Sequence, residues 1–297
     1  MKLCRFKTFV TSYYFPQINK HNRFMYDLYG NYGCILGKIY WWLFKNVSLV
    51  RLLNIIDSSN LDFPYNDIVN IEGNGSLMAF NLGSPGPDRK ISILGYDPIE
   101  KKDFFAKYSV SKKAQKLTNN EVRIYNLFKN NGFVPNVYLV KRTDDFVFMK
   151  VERIVGSKVR CTIDDNLVLA CLNDLSKLHV DKSADDNTCF SHGDFCPWNM
   201  ILVRDQIKLI DWEMAAERPL GFDLFTYIFQ TNFAVNHKDT IAMIIDKNSS
   251  LINAYFQSKD YLSYIRLFAK IKYEEMSNKD VNSYYANRYL ELINYFK

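Results

Sequence analysis

The stretch Ser191-His192-Gly193-Asp194-Phe195-Cys196-Pro197-Trp198-Asn199, followed by Ile207-Lys208-Leu209-Ile210-Asp211, constrains this chain more than any other. It sets a carboxylate, an amide five residues on, and a second carboxylate at the end of an apolar strand. Such a set suits phosphoryl transfer. Asp194 is placed to accept the proton of an attacking hydroxyl, while Asn199 and Asp211 are hard oxygen ligands for a Mg²⁺ that bridges nucleotide phosphates. The plainer alternative is that Asp194 and Asn199 cap a turn and Asp211 caps the next helix.

Composition narrows the class. A chain of 297 residues, 48% hydrophobic and 24% charged, has room for one or two domains with a sizeable core. The net charge of +6 is no nucleic-acid signature, because residues 1–60 carry all of it, with eight Lys or Arg against two Asp. Six cysteines without a C-x-x-C pair and four scattered histidines suggest neither zinc nor a disulfide framework, so free thiols in a reducing cytoplasm are expected. The longest charge-free run, residues 73–87, is 15 residues rich in Gly and Pro, so no membrane-spanning helix is expected.

The pattern His-Gly-Asp-Phe-x-Pro-x-Asn at 192–199, with Ile-Asp-Trp-Glu at 210–213, resembles the aminoglycoside phosphotransferase and choline kinase family. The resemblance covers residues 71–297 and implies an α+β, protein-kinase-like fold of two lobes. A small antiparallel-sheet N-lobe (71–152) would precede a mainly helical C-lobe (153–297), and residues 1–70 would form a basic, aromatic, helical extension packed on the small lobe. ATP and Mg²⁺ are the implied cofactors. In this reading Asp194 is the general base, Asn199 and Asp211 hold Mg²⁺, and His192 holds the loop by hydrogen bonds. Asp223 resembles the family's aspartate that braces the catalytic loop, with helix capping as the alternative.

The small lobe reads as five strands. Residues 76–81 and 90–96 form a hairpin whose loop offers Gly83, Ser84 and Gly86 to cover phosphates, with Gly73-Asn74-Gly75 as a rival. Strand 103–108 carries Lys107, which the family would aim at the nucleotide phosphates and pair with Glu121 on a helix starting at Asn119. Lys112 and Lys113 are rivals for Lys107, and a first-turn acid favoured by the helix dipole is the alternative for Glu121. Strands 135–141 and 146–153 complete the set, and Glu152 opens a stretch resembling the hinge that pairs with adenine.

Only eight residues, 214–221, separate the Asp211 motif from the next helix, which leaves no room for a peptide-docking segment and favours a small hydroxylated acceptor. Helical periods at 241–256, 261–273 and 281–296 would wall its pocket, where Glu274 and Glu275 are offset by Lys270, Lys272 and Lys279. Residues 34–56, with Trp41 and Trp42, fit two readings: a helix packed on the small lobe, or a peripheral contact with the inner face of a membrane. The function so implied is an ATP- and Mg²⁺-dependent small-molecule kinase in the cytoplasm, with a nucleotide-binding pseudokinase that regulates a partner as the alternative.

Overall fold

The computed structural model describes residues 2–19, 22–29, 35–73, 75–129, 132, 134–159, 163–178, 187–257, 260–278 and 283–297. The chain forms two compact units, 1–153 and 154–297.

The first unit holds β1 (Lys2–Lys7), β2 (Ser12–Phe15), α1 (Ile35–Asn46), α2 (Ser48–Leu52), β3 (Ile55–Asp57), α3 (Tyr65–Glu72), β4 (Leu77–Asn81), β5 (Lys90–Asp97), β6 (Lys102–Ser109), α4 (Lys112–Leu127), β7 (Val137–Arg142) and β8 (Val147–Glu152). All eight strands join one antiparallel sheet in the order β3-β1-β2-β4-β5-β6-β8-β7. The N-terminal 70 residues are therefore more than a helical extension, since they supply three strands of the small-lobe sheet.

These strands escape a period-two reading because both faces of the sheet are covered. Leu3 and Tyr14 enter one cluster with Ile68, Ile71, Phe104 and Phe148, under α3. Phe6, Tyr13 and Phe15 enter another with Tyr29, Trp41 and Phe44, under α1. A strand buried on both sides loses the apolar-polar alternation that marks a half-exposed one.

The helix after β6 starts earlier than residue 119. Ser111 caps it by accepting the Ala114 N–H, and Ala114, Gln115 and Thr118 are buried along its first turns. Glu121 is thus mid-helix and not a first-turn acid. Lys112 reaches the Asp144 carbonyl, away from the Lys107 role proposed for it as a rival.

The second unit holds β9 (Ser157–Lys158), α5 (Asp165–Ser176), β10 (Thr188–Ser191), β11 (Met200–Val203), β12 (Gln206–Leu209), β13 (Ala216–Pro219), α6 (Phe222–Phe225), α7 (Thr231–Val235), α8 (Ile241–Lys247), α9 (Ser249–Phe256), α10 (Leu262–Ser277) and α11 (Tyr284–Tyr295). β11 lies between β12 and β9, and β10 pairs with β13. The helix expected over 241–256 is interrupted at Asn248, whose amide bonds the Ile244 carbonyl. Phe222, Phe225, Phe229, Phe256, Phe268 and Tyr289 fill the core between helices. Among the described residues no helix is long and apolar enough to cross a membrane. Cys4, Cys171, Cys189 and Cys196 are free, and burial pushes the Cys171 thiol up to about 12 and Cys189 up to about 11, so both stay protonated. Cys34, Cys161, His179 and Lys279 lie outside the described residues.

Candidate active site

Each unit carries one group of the residues singled out by sequence. In the first, Lys107 Nζ donates to Glu121 Oε2 at 2.6 Å, and Glu121 Oε1 accepts the Tyr125 hydroxyl at 2.6 Å. Local geometry explains the pairing. Lys107 and Ser109 share one face of β6, Thr118 and Glu121 share one face of α4, and Ser109 Oγ meets Thr118 Oγ1 at 2.7 Å. Strand and helix therefore touch at two matched polar points. Lys107 and Glu121 are both buried, so each charge has lost most of its water and depends on the other.

The β4–β5 hairpin lies where the sequence put it, with Leu77 opposite Tyr96 and Asn81 opposite Ser92. Gly83 takes a left-handed φ of 67°, and a Cβ there would run into the Lys90 carbonyl oxygen. Its N–H donates to Asn81 Oδ1 at 3.0 Å, the Arg89 guanidinium holds the Leu82 carbonyl at 2.7 Å, and the Ser111 hydroxyl donates to the Pro87 carbonyl. Ser84 and Gly86 are exposed in the loop so tethered. Gly73, the rival, ends α3: it is left-handed and its N–H bonds the Val69 carbonyl. Glu152 accepts from the Asn136 side chain at 2.7 Å on Oε2, and its own N–H is bonded to the Asn136 carbonyl.

In the second unit the motif folds around Asp223. This carboxylate accepts the His192 N–H at 2.6 Å and the Gly193 N–H at 3.0 Å, and it does not cap its own helix, whose N-cap is Gly221. Burial pushes the Asp223 carboxyl above the ordinary aspartate range, opposed by the His192 imidazole and the two N–H donors. The His192 ring spans the turn: Nε2 lies 3.0 Å from the Ile210 carbonyl, and Nδ1 accepts the Asp194 N–H at 3.3 Å. Nε2 thus faces an acceptor and Nδ1 a donor. Gly193 has a φ of 82°, and a Cβ would collide with the Met214 carbonyl oxygen.

Asp194 is held at both oxygens. Oδ1 accepts Gln230 Nε2 at 2.6 Å and faces the Cys196 thiol at 3.7 Å, while Oδ2 accepts Asn199 Nδ2 at 2.8 Å. Burial and the neighbouring Asp194 charge hold Cys196 well above the usual thiol range, so it remains a donor. Asn199 Nδ2 also donates to the Asp194 carbonyl at 2.9 Å. With its N–H groups so directed, the amide keeps Oδ1 as its acceptor. The Ile210 N–H bonds the Asn199 carbonyl at 3.0 Å, which brings Asp211 beside Asn199. Asp211 itself is left-handed, φ 67° and ψ 53°, a conformation that aspartate tolerates better than most residues. An amide oxygen and a carboxylate from adjoining turns are the hard donors that Mg²⁺ takes.

Two residues of this group were not singled out by sequence. Gln230 reaches Asp194 from a π-helical turn over Thr226–Gln230 between α6 and α7. Such a turn shifts side chains out of α-helical register, and no sequence period announces it. Lys272, read from sequence only as a charge offsetting Glu274 and Glu275, is buried: its Nζ lies 3.3 Å from the Gly193 carbonyl and 3.5 Å from Glu275. Its place in the apolar stripe Ile265, Phe268, Ala269 and Lys272 was the available signal. Glu275 in turn pairs with Arg218 at 2.9 Å.

No curated protein sequence matches the chain. Among solved structures it is similar to amicoumacin kinase hAmiN in complex with AMP-PNP, Ca²⁺ and Ami, at 12% identity and a TM-score of 0.48 over 79% of this chain and 92% of that one. It is also similar to a Plasmodium vivax ethanolamine kinase, at 9% identity and a TM-score of 0.43 over 94% of each chain. The choline kinase LicA from Streptococcus pneumoniae follows at 15% identity and a TM-score of 0.42, over 69% of this chain and 89% of that one. Residues 163–243, the stretch that holds Asp194, Asn199, Asp211, Asp223 and Gln230, match the phosphotransferase enzyme family.

Proposed function

We propose that the protein is an ATP- and Mg²⁺-dependent phosphotransferase that acts on a hydroxyl of a small molecule: a sugar, an amino sugar, a choline-like alcohol or a cell-envelope glycan precursor. One observation carries the reading: Asp194 is fixed by amide donors on both oxygens, from Gln230 and Asn199, and the Asn199 carbonyl is bonded to the Ile210 N–H, one residue before Asp211. A carboxylate so oriented can accept a hydroxyl proton on a remaining lone pair without first turning. Mg²⁺, held by Asn199 and Asp211, would supply neutralising charge for the phosphates. Lys107, with its ammonium set by Glu121, offers the phosphate contact, and the Gly83, Ser84 and Gly86 loop is the candidate cover. His192 and Asp223 keep the turn that presents Asp194. A reaction that consumes ATP belongs in the cytoplasm, which fits the unpaired thiols.

Purified protein given ATP, Mg²⁺ and a panel of such acceptors should release ADP with one of them. Asp194→Ala should keep nucleotide binding and lose that turnover. The tethering of the Gly83 loop favours a second reading, a nucleotide-binding pseudokinase that regulates a partner. It predicts nucleotide binding with no ADP from any acceptor, in the parent and the variant alike.

A further inference from the structure

α1 is apolar on both sides. Trp41 and Phe44 are buried against Phe6 and Phe15. Ile35, Ile39 and Trp42, spaced to fall on one stripe, are 75%, 51% and 61% exposed on the opposite side. Lys38 is exposed beside that stripe, whereas Lys45 turns to the packed side, with its Nζ 5.9 Å from the Tyr26 ring and 6.0 Å from the Trp41 ring. α2 and the residue that ends it add Leu49, Leu52 and Leu53, spaced for one face and all more than 60% exposed. The Arg51 guanidinium clamps the two helices by donating to the Phe44 and Lys45 carbonyls at 3.0 and 2.7 Å, so the apolar surface is pre-set. Packing on the small lobe accounts for the Trp41 side only, and six large apolar side chains on two clamped helices exceed the scattered exposure normal for a monomer.

Charge selects the occupant. Between Asp27 and Asp57 the sequence has Lys38, Lys45 and Arg51 and no acidic residue. A second copy of this basic surface would bring like charges together. A lipid surface with anionic headgroups complements Lys38 and a segment without acidic residues, takes the apolar stripe at its acyl boundary, and suits an exposed tryptophan. α1, at 12 residues, has the length to lie in such an interface and not to cross it.

We propose that α1 and α2 seat the first unit on an anionic lipid surface, with Trp42 entering the headgroup boundary. This stands on the first unit alone and does not depend on the phosphotransferase reading.

The test is flotation of the full chain with vesicles of phosphatidylcholine, with and without phosphatidylglycerol, at low and high salt. Binding is expected on the anionic vesicles at low salt. It should weaken about fivefold for Lys38→Gln, and about tenfold for Trp42→Ala. Tryptophan emission should shift to the blue on binding, and the shift should shrink in Trp42→Ala, while circular dichroism of each variant reports an unchanged fold. No flotation on anionic vesicles at low salt would overturn the proposal, as would equal binding to phosphatidylcholine alone. A dimer that dissolves in Trp42→Ala, without vesicle binding, would give the face to a second copy and overturn it as well.

Discussion

Gln230 donates its side-chain amide to Asp194 Oδ1 at 2.6 Å, from a π-helical turn 36 residues along the chain. The bond holds one carboxylate oxygen while Asn199 holds the other, so the plane of the carboxylate is set from two sides. Its consequences can be measured.

Gln230→Leu removes a hydrogen bond to a charged group, which is worth about 1.5–3 kcal/mol. Turnover should fall roughly 10- to 100-fold on this scale, with nucleotide affinity unchanged, because the residue touches the proposed base and not Lys107, the proposed phosphate contact. Steady-state kcat alongside a nucleotide Kd by calorimetry checks this, and an equal loss in both would contradict the assignment.

Asn199→Ala takes one donor from Asp194 and one oxygen from the proposed metal pair. The Mg²⁺ concentration for half-maximal turnover should rise about tenfold or more, and chelation should abolish turnover in the parent. A Mg²⁺ titration of ADP release reads both.

The Lys107–Glu121 pair should behave asymmetrically. Glu121→Gln leaves a buried ammonium without its counter-charge, a loss of about 3–5 kcal/mol in urea unfolding of the parent fold. Adding Lys107→Met should recover part of that stability, since the uncompensated charge goes with it. Nucleotide binding should stay lost in the double variant, which separates the structural role of the pair from the proposed phosphate contact.

Lys150 stands on β8 on the sheet face opposite Lys107, since it pairs with Ala106 and Lys107 pairs with Met149. Its Nζ lies 2.7 Å from Glu72 and 2.7 Å from Asp97, and it lines a cavity of about 650 Å³ with both. Burial lowers its pKa, but the hydrogen bonds to Asp97 and Glu72 outweigh this and leave it raised above the ordinary 10.5. A folded pKa above the unfolded one contributes stability that is complete below about pH 10 and is lost as pH climbs through the folded value. Urea midpoints of the parent should therefore fall from about pH 9 to about pH 11, and Lys150→Met should flatten that fall while lowering stability at neutral pH by about 3–5 kcal/mol.

Gly193→Ala should be poorly tolerated, because the residue is left-handed and a methyl group would press on the Met214 carbonyl. A loss of about 1–3 kcal/mol in unfolding free energy is expected, together with a larger loss of turnover, since the strained peptide carries one of the two N–H groups on Asp223. Thermal unfolding of this variant beside a surface control reads the first effect.

The motif at 192–211, the hairpin around Gly83 and the approach of Lys107 to Glu121 could all be read in one dimension. The motif rests on residue types at set offsets, the hairpin on turn residues and a strand period, and the pairing of Lys107 with Glu121 on the family resemblance. α4 starts two turns before the sequence pattern announces it, because Ser111 caps a helix whose early residues are polar although Gln115 and Thr118 are buried. β1 and β2 went unseen because a sheet covered on both faces erases the alternation that reveals a strand.

Residue types and their intervals single out the groups proposed here to do the chemistry. They were not enough to say which side chains steady those groups. Gln230 and Lys272 reach the Asp194 turn through a π-helical shift and a buried helix stripe, and which exposed face α1 presents depended on where its other face packed. Local pattern is written by neighbours along the chain, whereas burial and hydrogen-bond partners are set by contacts between distant segments, which only the folded packing brings together.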